Sequence, residues 1–110
     1  MSYAIQITKK AQNDLLDIER YIIDELGNPK AAERIMSLLD KGILSLKESP
    51  ARCPIVDDSH LSEIELRRLI VKNYSVFFII SEEDKLVPIV RILYAKRDWQ
   101  HIVDEISDAE

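Results

Sequence analysis

Three strongly apolar runs fill the last third of the chain, and the links between them are too short for anything but hairpins. Residues 64–71, 74–80 and 86–95 are rich in β-branched and aromatic side chains, the composition of strands. Only Lys72-Asn73 separates the first two, which predicts a tight hairpin with Asn73 at a positive-φ position. Glu82-Glu83-Asp84-Lys85 turns the second hairpin. Pro88 cannot donate to a ladder, so it is expected at a sheet edge or at the beginning of its strand. A three-stranded meander of this kind must bury one face against something else.

The first half of the chain supplies the cover. Tyr3–Ile7 alternates in polarity and reads as a short strand. Thr8 can cap a helix carrying Ala11, Leu15, Ile18, Ile22 and Leu26 on one stripe. Gly27 suits the left-handed residue that ends it. Asn28-Pro29 starts a second helix, with the proline at a position where no N–H is needed. Ala32, Ile35, Leu39, Gly42/Ile43 and Leu46 form its stripe, and Ser49-Pro50 stops it. Residues 51–62 show no periodicity and read as a loop. A short closing helix from Asp98 would pack Ile102, Val103 and Ile106. The order is β-α-α-β-β-β. It makes residues 1–110 a single α+β domain, a helical hairpin packed on a curved antiparallel sheet.

Charge is unevenly spread. The whole chain carries −5, yet residues 67–101 carry +3, between stretches of −4 on either side. The strand ends thus present cations beside aromatic rings, a surface suited to a phosphate backbone or an acidic peptide. Salt screens exposed charges over ~8–10 Å, so such a patch can act despite the acidic total. One cysteine, Cys53, rules out an intramolecular disulfide and points to a reducing compartment. No apolar run approaches the ~20 residues of a membrane helix, and no signal-peptide pattern opens the chain. The expectation is a soluble, cytoplasmic protein without a membrane partner.

Several segments, taken in order, resemble the RelE/ParE family of bacterial toxins from type II toxin–antitoxin systems. They are Ala11-Gln12-Asn13-Asp14-Leu15-Leu16-Asp17-Ile18-Glu19-Arg20-Tyr21, Leu46-Lys47-Glu48-Ser49-Pro50, Leu66-Arg67-Arg68-Leu69 with Asn73-Tyr74, and Val90-Arg91-Ile92-Leu93-Tyr94-Ala95-Lys96-Arg97-Asp98. The resemblance spans about residues 3–101 and implies the fold read above. It also implies growth inhibition, a part in plasmid stabilisation, and a cognate antitoxin whose C-terminal segment wraps the toxin. Members either cleave mRNA on the ribosome or inhibit DNA gyrase, and a fold cannot choose between these. The RelE-like nucleases resemble one another in an arginine directly after the middle-strand tyrosine, where this chain has Ser75. They also carry a tyrosine near the C-terminus, where this chain has Val103, and some carry a histidine where this chain has Tyr94. Arg67 and Arg97 match the family's recurring arginines. The nuclease set is therefore incomplete. The leading expectation is a toxin that binds an essential target, gyrase. The alternatives are a ribosome-dependent mRNA interferase and a non-toxic interaction domain of the same fold.

Metal-free RNA cleavage needs a base, an acid and a cation for the phosphorane. If this chain cleaves RNA, the candidates are Arg97 and His101, four apart, with Arg67. For binding a target or partner they are Arg67, Lys72, Arg91, Lys96, Arg97 and Trp99. Arg67 and Arg68 alternate across a strand, so one of them is expected to serve the structure by pairing with an acid of the helices. Arg91 stands alone in an apolar strand and needs a partner. Tyr74 and Tyr94 read as sheet packing. Trp99 either packs the C-terminal turn or anchors a partner. Cys53 lacks a neighbouring base and reads as an inert core thiol. His60 reads as solvated, and Asp57-Asp58 has no partner at ligand spacing. No metal and no cofactor are expected.

Overall fold

The computed structural model describes residues 2–56 and 64–94. The elements are β1 (Ala4–Ile7), α1 (Lys9–Arg20), a π-helical turn (Tyr21–Glu25), α2 (Pro29–Ser45), β2 (Arg67–Val71), β3 (Tyr74–Phe78) and β4 (Leu86–Tyr94). They form two helices on a four-stranded sheet of order β1-β4-β3-β2. The helix caps follow the sequence. The Thr8 side chain accepts the Ala11 N–H, Asn28 accepts the Ala31 N–H, and Gly27 takes φ 59°. The first stripe holds through Ile22, which is buried. Leu26 was expected on it but is 59% exposed. The π turn explains this. Its Leu26 N–H reaches back five residues to the Tyr21 carbonyl, so the helix is wider there and a four-residue step no longer returns to the same face. The second stripe is seated as expected, with Ala32, Leu39, Ile43 and Leu46 buried and Ile35 packed against them.

The sheet expected to be antiparallel is mixed. The β2-β3-β4 meander is antiparallel, but β1 joins β4 in parallel, Ala4 opposite Leu86 through Ile7 opposite Ile89. This makes β4 an interior strand, so Pro88 lies neither at an edge nor at a strand's beginning. Its carbonyl accepts the Ile79 N–H, but it has no N–H to return. The ladder is interrupted there and resumes only as the Ser81–Leu86 bridge, so β3 ends at Phe78 rather than at residue 80. Positive φ in the β2–β3 turn falls on Lys72, at 55°, and not on Asn73. Strand twist and the Val71–Tyr74 register choose the left-handed residue of so short a turn, and side-chain tolerance does not override them.

β4 also carries an extra residue. Phe77 pairs with Arg91 but Phe78 pairs with Ile89, so Val90 is a bulge. Strict alternation would put Ile89 and Ile92 on opposite faces. The bulge returns both to the core beneath the helices, with Val76, Phe78 and Val87, and sends Val90 and Leu93 to the other face. That second face is covered too. Residues expected as loop pair with the sheet instead. The Val56 N–H donates to Leu66, the Arg68 N–H donates to Pro54, and Val56 and Leu66 close over Phe77 and Leu93.

α2 crosses β2 at Gly42. A Cβ there would lie 2.7 Å from Val71 Cγ2. Gly42→Ala is expected to lose about 1 kcal/mol net, overpacking of ~1–3 kcal/mol outweighing a helix-propensity gain of ~1 kcal/mol. Urea denaturation of the single variant and of Gly42→Ala with Val71→Ala checks this. The double variant should cost less than the sum of its parts, and strict additivity would show that no clash exists.

Candidate functional site

β1 ends opposite Ile89, so the edge of β4 beyond it needs another partner for its backbone. α1 provides one. Asp14 stands three residues after Ala11 and four before Ile18, on the buried face of the helix. Its Oδ2 accepts the Ile92 N–H at 2.9 Å and Arg91 Nε at 2.8 Å, and its Oδ1 accepts Arg91 Nη2 at 2.9 Å. One carboxylate thus satisfies an orphan ladder donor and grips the guanidinium bidentately. The two side chains are only 14% and 11% exposed. Arg91 has the partner its apolar surroundings demanded. Thr8 fixes the same junction, its hydroxyl donating to the Ile89 carbonyl at 2.8 Å.

Beside this pair opens a groove of about 770 Å³. Ile18, Ile22, Ile35 and Ile92 give it an apolar lining, and Tyr21, Leu26 and Tyr94 stand exposed along it. Leu26 is there because the π turn took it out of the core. Tyr74 and Tyr94 pack edge to face at 5.6 Å. Burial first, then the neighbouring Tyr94 and Tyr21, push the Tyr74 phenol above its ordinary value. Three phenols, those of Tyr21, Tyr74 and Tyr94, thus gather at the groove. Among the described residues two carboxylates, Asp14 and Asp17, line it, and no lysine or arginine does.

The expected basic surface is dispersed in the described residues. Arg67 sits at the far end of β2 from the groove and donates to the Ala51 and Cys53 carbonyls, at 3.2 and 2.6 Å. It does serve the structure, but by holding a loop rather than by pairing with an acid of the helices. Lys85 lies at the opposite end of β4, over the Tyr3 ring and 3.9 Å from Glu82, which also takes the Tyr3 hydroxyl. Lys72 is exposed next to Asn73, which lines the groove. Arg91 is committed to Asp14. Lys96, Arg97, Trp99 and His101 lie outside the described residues, as do Asp57, Asp58, His60 and the closing helix. Cys53 is buried in the main core. Burial raises its thiol pKa against the opposing pull of Arg52 and Arg67, which keeps it protonated and unreactive. Among the described residues no cluster could hold a metal ion, and no helix is long and apolar enough to cross a membrane.

Tyr74 and Tyr94, read as packing residues, are two of the three rings that line the groove, and Tyr21 had been given no role. Asp14 also went unread, although a carboxylate on a buried stripe and an arginine in an apolar strand each require the other. That mutual need was the available signal.

The family model described as ParE toxin of type II toxin-antitoxin system, parDE, matches residues 5–99. The chain belongs to the ParE toxin family. Among solved structures, this ParE-family toxin is similar to a chain of the chromosomal ParDE TA system from P. aeruginosa. The TM-score is 0.69 at 18% identity, over 86% of this chain and 98% of that one. It is also similar to a chain of the toxin–antitoxin complex RelBE2 from Mycobacterium tuberculosis, with TM-score 0.66 at 18% identity over 86% and 99%. E. coli toxin RelE in the free state gives TM-score 0.63 at 12% identity over 99% and 97%. At such identities the likeness is one of fold. No curated protein matches the sequence. Membership makes the ParE-family chain a toxin of a type II toxin–antitoxin system. The groove between α1 and the sheet is an apolar recess lined from both helices and the sheet.

Proposed function

We propose that this toxin arrests growth by binding DNA gyrase, without cutting RNA, and that a cognate antitoxin neutralises it by laying an amphipathic segment on the toxin. The observation that carries the reading is Ser75. The RelE-like nucleases place an arginine at this position of the middle strand, whereas here a serine is 2% exposed inside the sheet and offers no charge for a phosphorane. Two of the strand arginines, Arg67 and Arg91, are held by backbone carbonyls and by Asp14. The ParE family match supports the same branch. The half-exposed apolar groove supports an antitoxin that docks through a hydrophobic stripe.

Two assays on the purified protein test the target. Gyrase supercoiling should fall as toxin is added. Sequencing of transcript ends on translating ribosomes should show no codon-phased cleavage. Phased cleavage that vanishes in His101→Ala would establish the interferase reading instead, and inactivity in both assays together with harmless expression would leave only a non-toxic binding domain.

Arg97 matches a recurring arginine of the family, and a guanidinium can grip a carboxylate or phosphate through two hydrogen bonds. Arg97→Ala is expected to reduce growth arrest at least tenfold in the dose needed, with stability changed by no more than ~0.5 kcal/mol. A large drop in Tm with unchanged activity per folded molecule would make Arg97 structural.

A further inference from the structure

We propose that the antitoxin segment occupying the groove inserts one basic side chain, lysine or arginine, among Tyr21, Tyr74 and Tyr94, where it faces Asp17. This rests on the reading that the antitoxin binds in this groove, and it specifies the chemistry of the occupant. The groove is apolar along most of its length, so its occupant is mainly apolar. Its charge is one-sided. Among the described residues two carboxylates line it and no cation does. Arg91 neutralises Asp14. Asp17 is exposed and has no salt-bridge partner among the described residues.

A purely apolar occupant would strip water from the Asp17 carboxylate and return nothing, which is costly. An acidic side chain would meet both that carboxylate and the negative faces of the rings. A cation satisfies both at once. Its charge pairs with Asp17, and the aromatic rings attract it through their quadrupoles. Burial holds the Tyr74 phenol above its ordinary pKa, so its ring offers a cation a neutral aromatic face beside the edge-packed Tyr94. The chain's net charge of −5 favours approach of a positively charged segment as well.

The probe is the purified cognate antitoxin bound to the full toxin chain. Dissociation constants are measured for wild type, Asp17→Asn and Tyr94→Leu against wild-type antitoxin and against variants in which each lysine or arginine becomes methionine. One basic residue should couple to Asp17 by at least tenfold, and the same residue should couple to Tyr94. Both toxin positions are exposed, so the variants should keep the wild-type Tm within a few degrees.

A tight complex in which no basic residue couples to Asp17 overturns the cation and leaves the docking reading intact. No complex at all overturns both. A fall of several degrees in the Tm of the free toxin on Asp17→Asn would mean that a cation of the toxin itself already uses Asp17, and the proposal would fall.

Discussion

Asp14→Ala is expected to cost about 3–5 kcal/mol, the penalty for leaving a buried charge without its partner. The alanine removes both bonds to the Arg91 guanidinium and the acceptor of the Ile92 N–H. A domain of this size holds ~5–15 kcal/mol in total, so the variant should be marginal at growth temperature. Replacing both members together, Asp14→Leu with Arg91→Met, should cost much less, since neither charge is then stranded. Only the Ile92 N–H remains orphaned, at ~1–3 kcal/mol. Urea denaturation followed by far-ultraviolet circular dichroism measures all three proteins. If the single variant loses under ~1 kcal/mol, or the double loses as much as the single, the pair does not hold α1 to the sheet.

Ser75 should respond with opposite signs to two substitutions. Its hydroxyl has no hydrogen-bond partner among the described residues and is 2% exposed. An unsatisfied buried polar group costs ~1–3 kcal/mol, so Ser75→Ala should raise stability by about 1 kcal/mol. Ser75→Arg restores the side chain typical of the nuclease branch. It also forces a cation into a site between Leu93 and Ile70 in the register, where burial of an ion costs several kcal/mol. The arginine variant should lose at least 3 kcal/mol, by the upper range of core disruptions, and gain no RNA cleavage. A folded Ser75→Arg protein that cleaves transcripts would show the strand to be one substitution from the other branch. That would remove the observation on which the gyrase reading rests.

Local chemistry was legible in the sequence wherever one residue decides a local event. Thr8, Gly27 and Asn28-Pro29 start and stop helices through their own side chains or lack of one, and both apolar stripes followed from spacing alone as far as Ile22. What the residues did not disclose is set by partners distant in the chain. The alternation of Tyr3–Ile7 tells which face is buried but not which strand lies alongside, so the parallel pairing with β4 was out of reach. The Val90 bulge is invisible because every residue from Val87 to Val90 is apolar or proline, and no polar residue marks the change of face. The need of Arg91 for a partner was readable, whereas that of Arg67 was met by backbone carbonyls, which carry no sequence signature. The groove escaped notice because its lining comes from α1, the π turn, α2 and the β3–β4 ends, a set that only tertiary packing assembles.

The parallel pairing of β1 with β4 also sets a timetable for synthesis. Ala4 meets Leu86 and Ile7 meets Ile89, while Asp14 waits for Arg91, 77 residues later. These pairings form only after β4 has left the ribosome, and such distant pairings are the slow step of folding. A nascent or truncated toxin that stops short of residue 86 has an unpaired first strand, an unanswered carboxylate at position 14 and half a groove. The fold therefore withholds the finished groove until β4 has been made, because neither β1 nor Asp14 finds its partner before then.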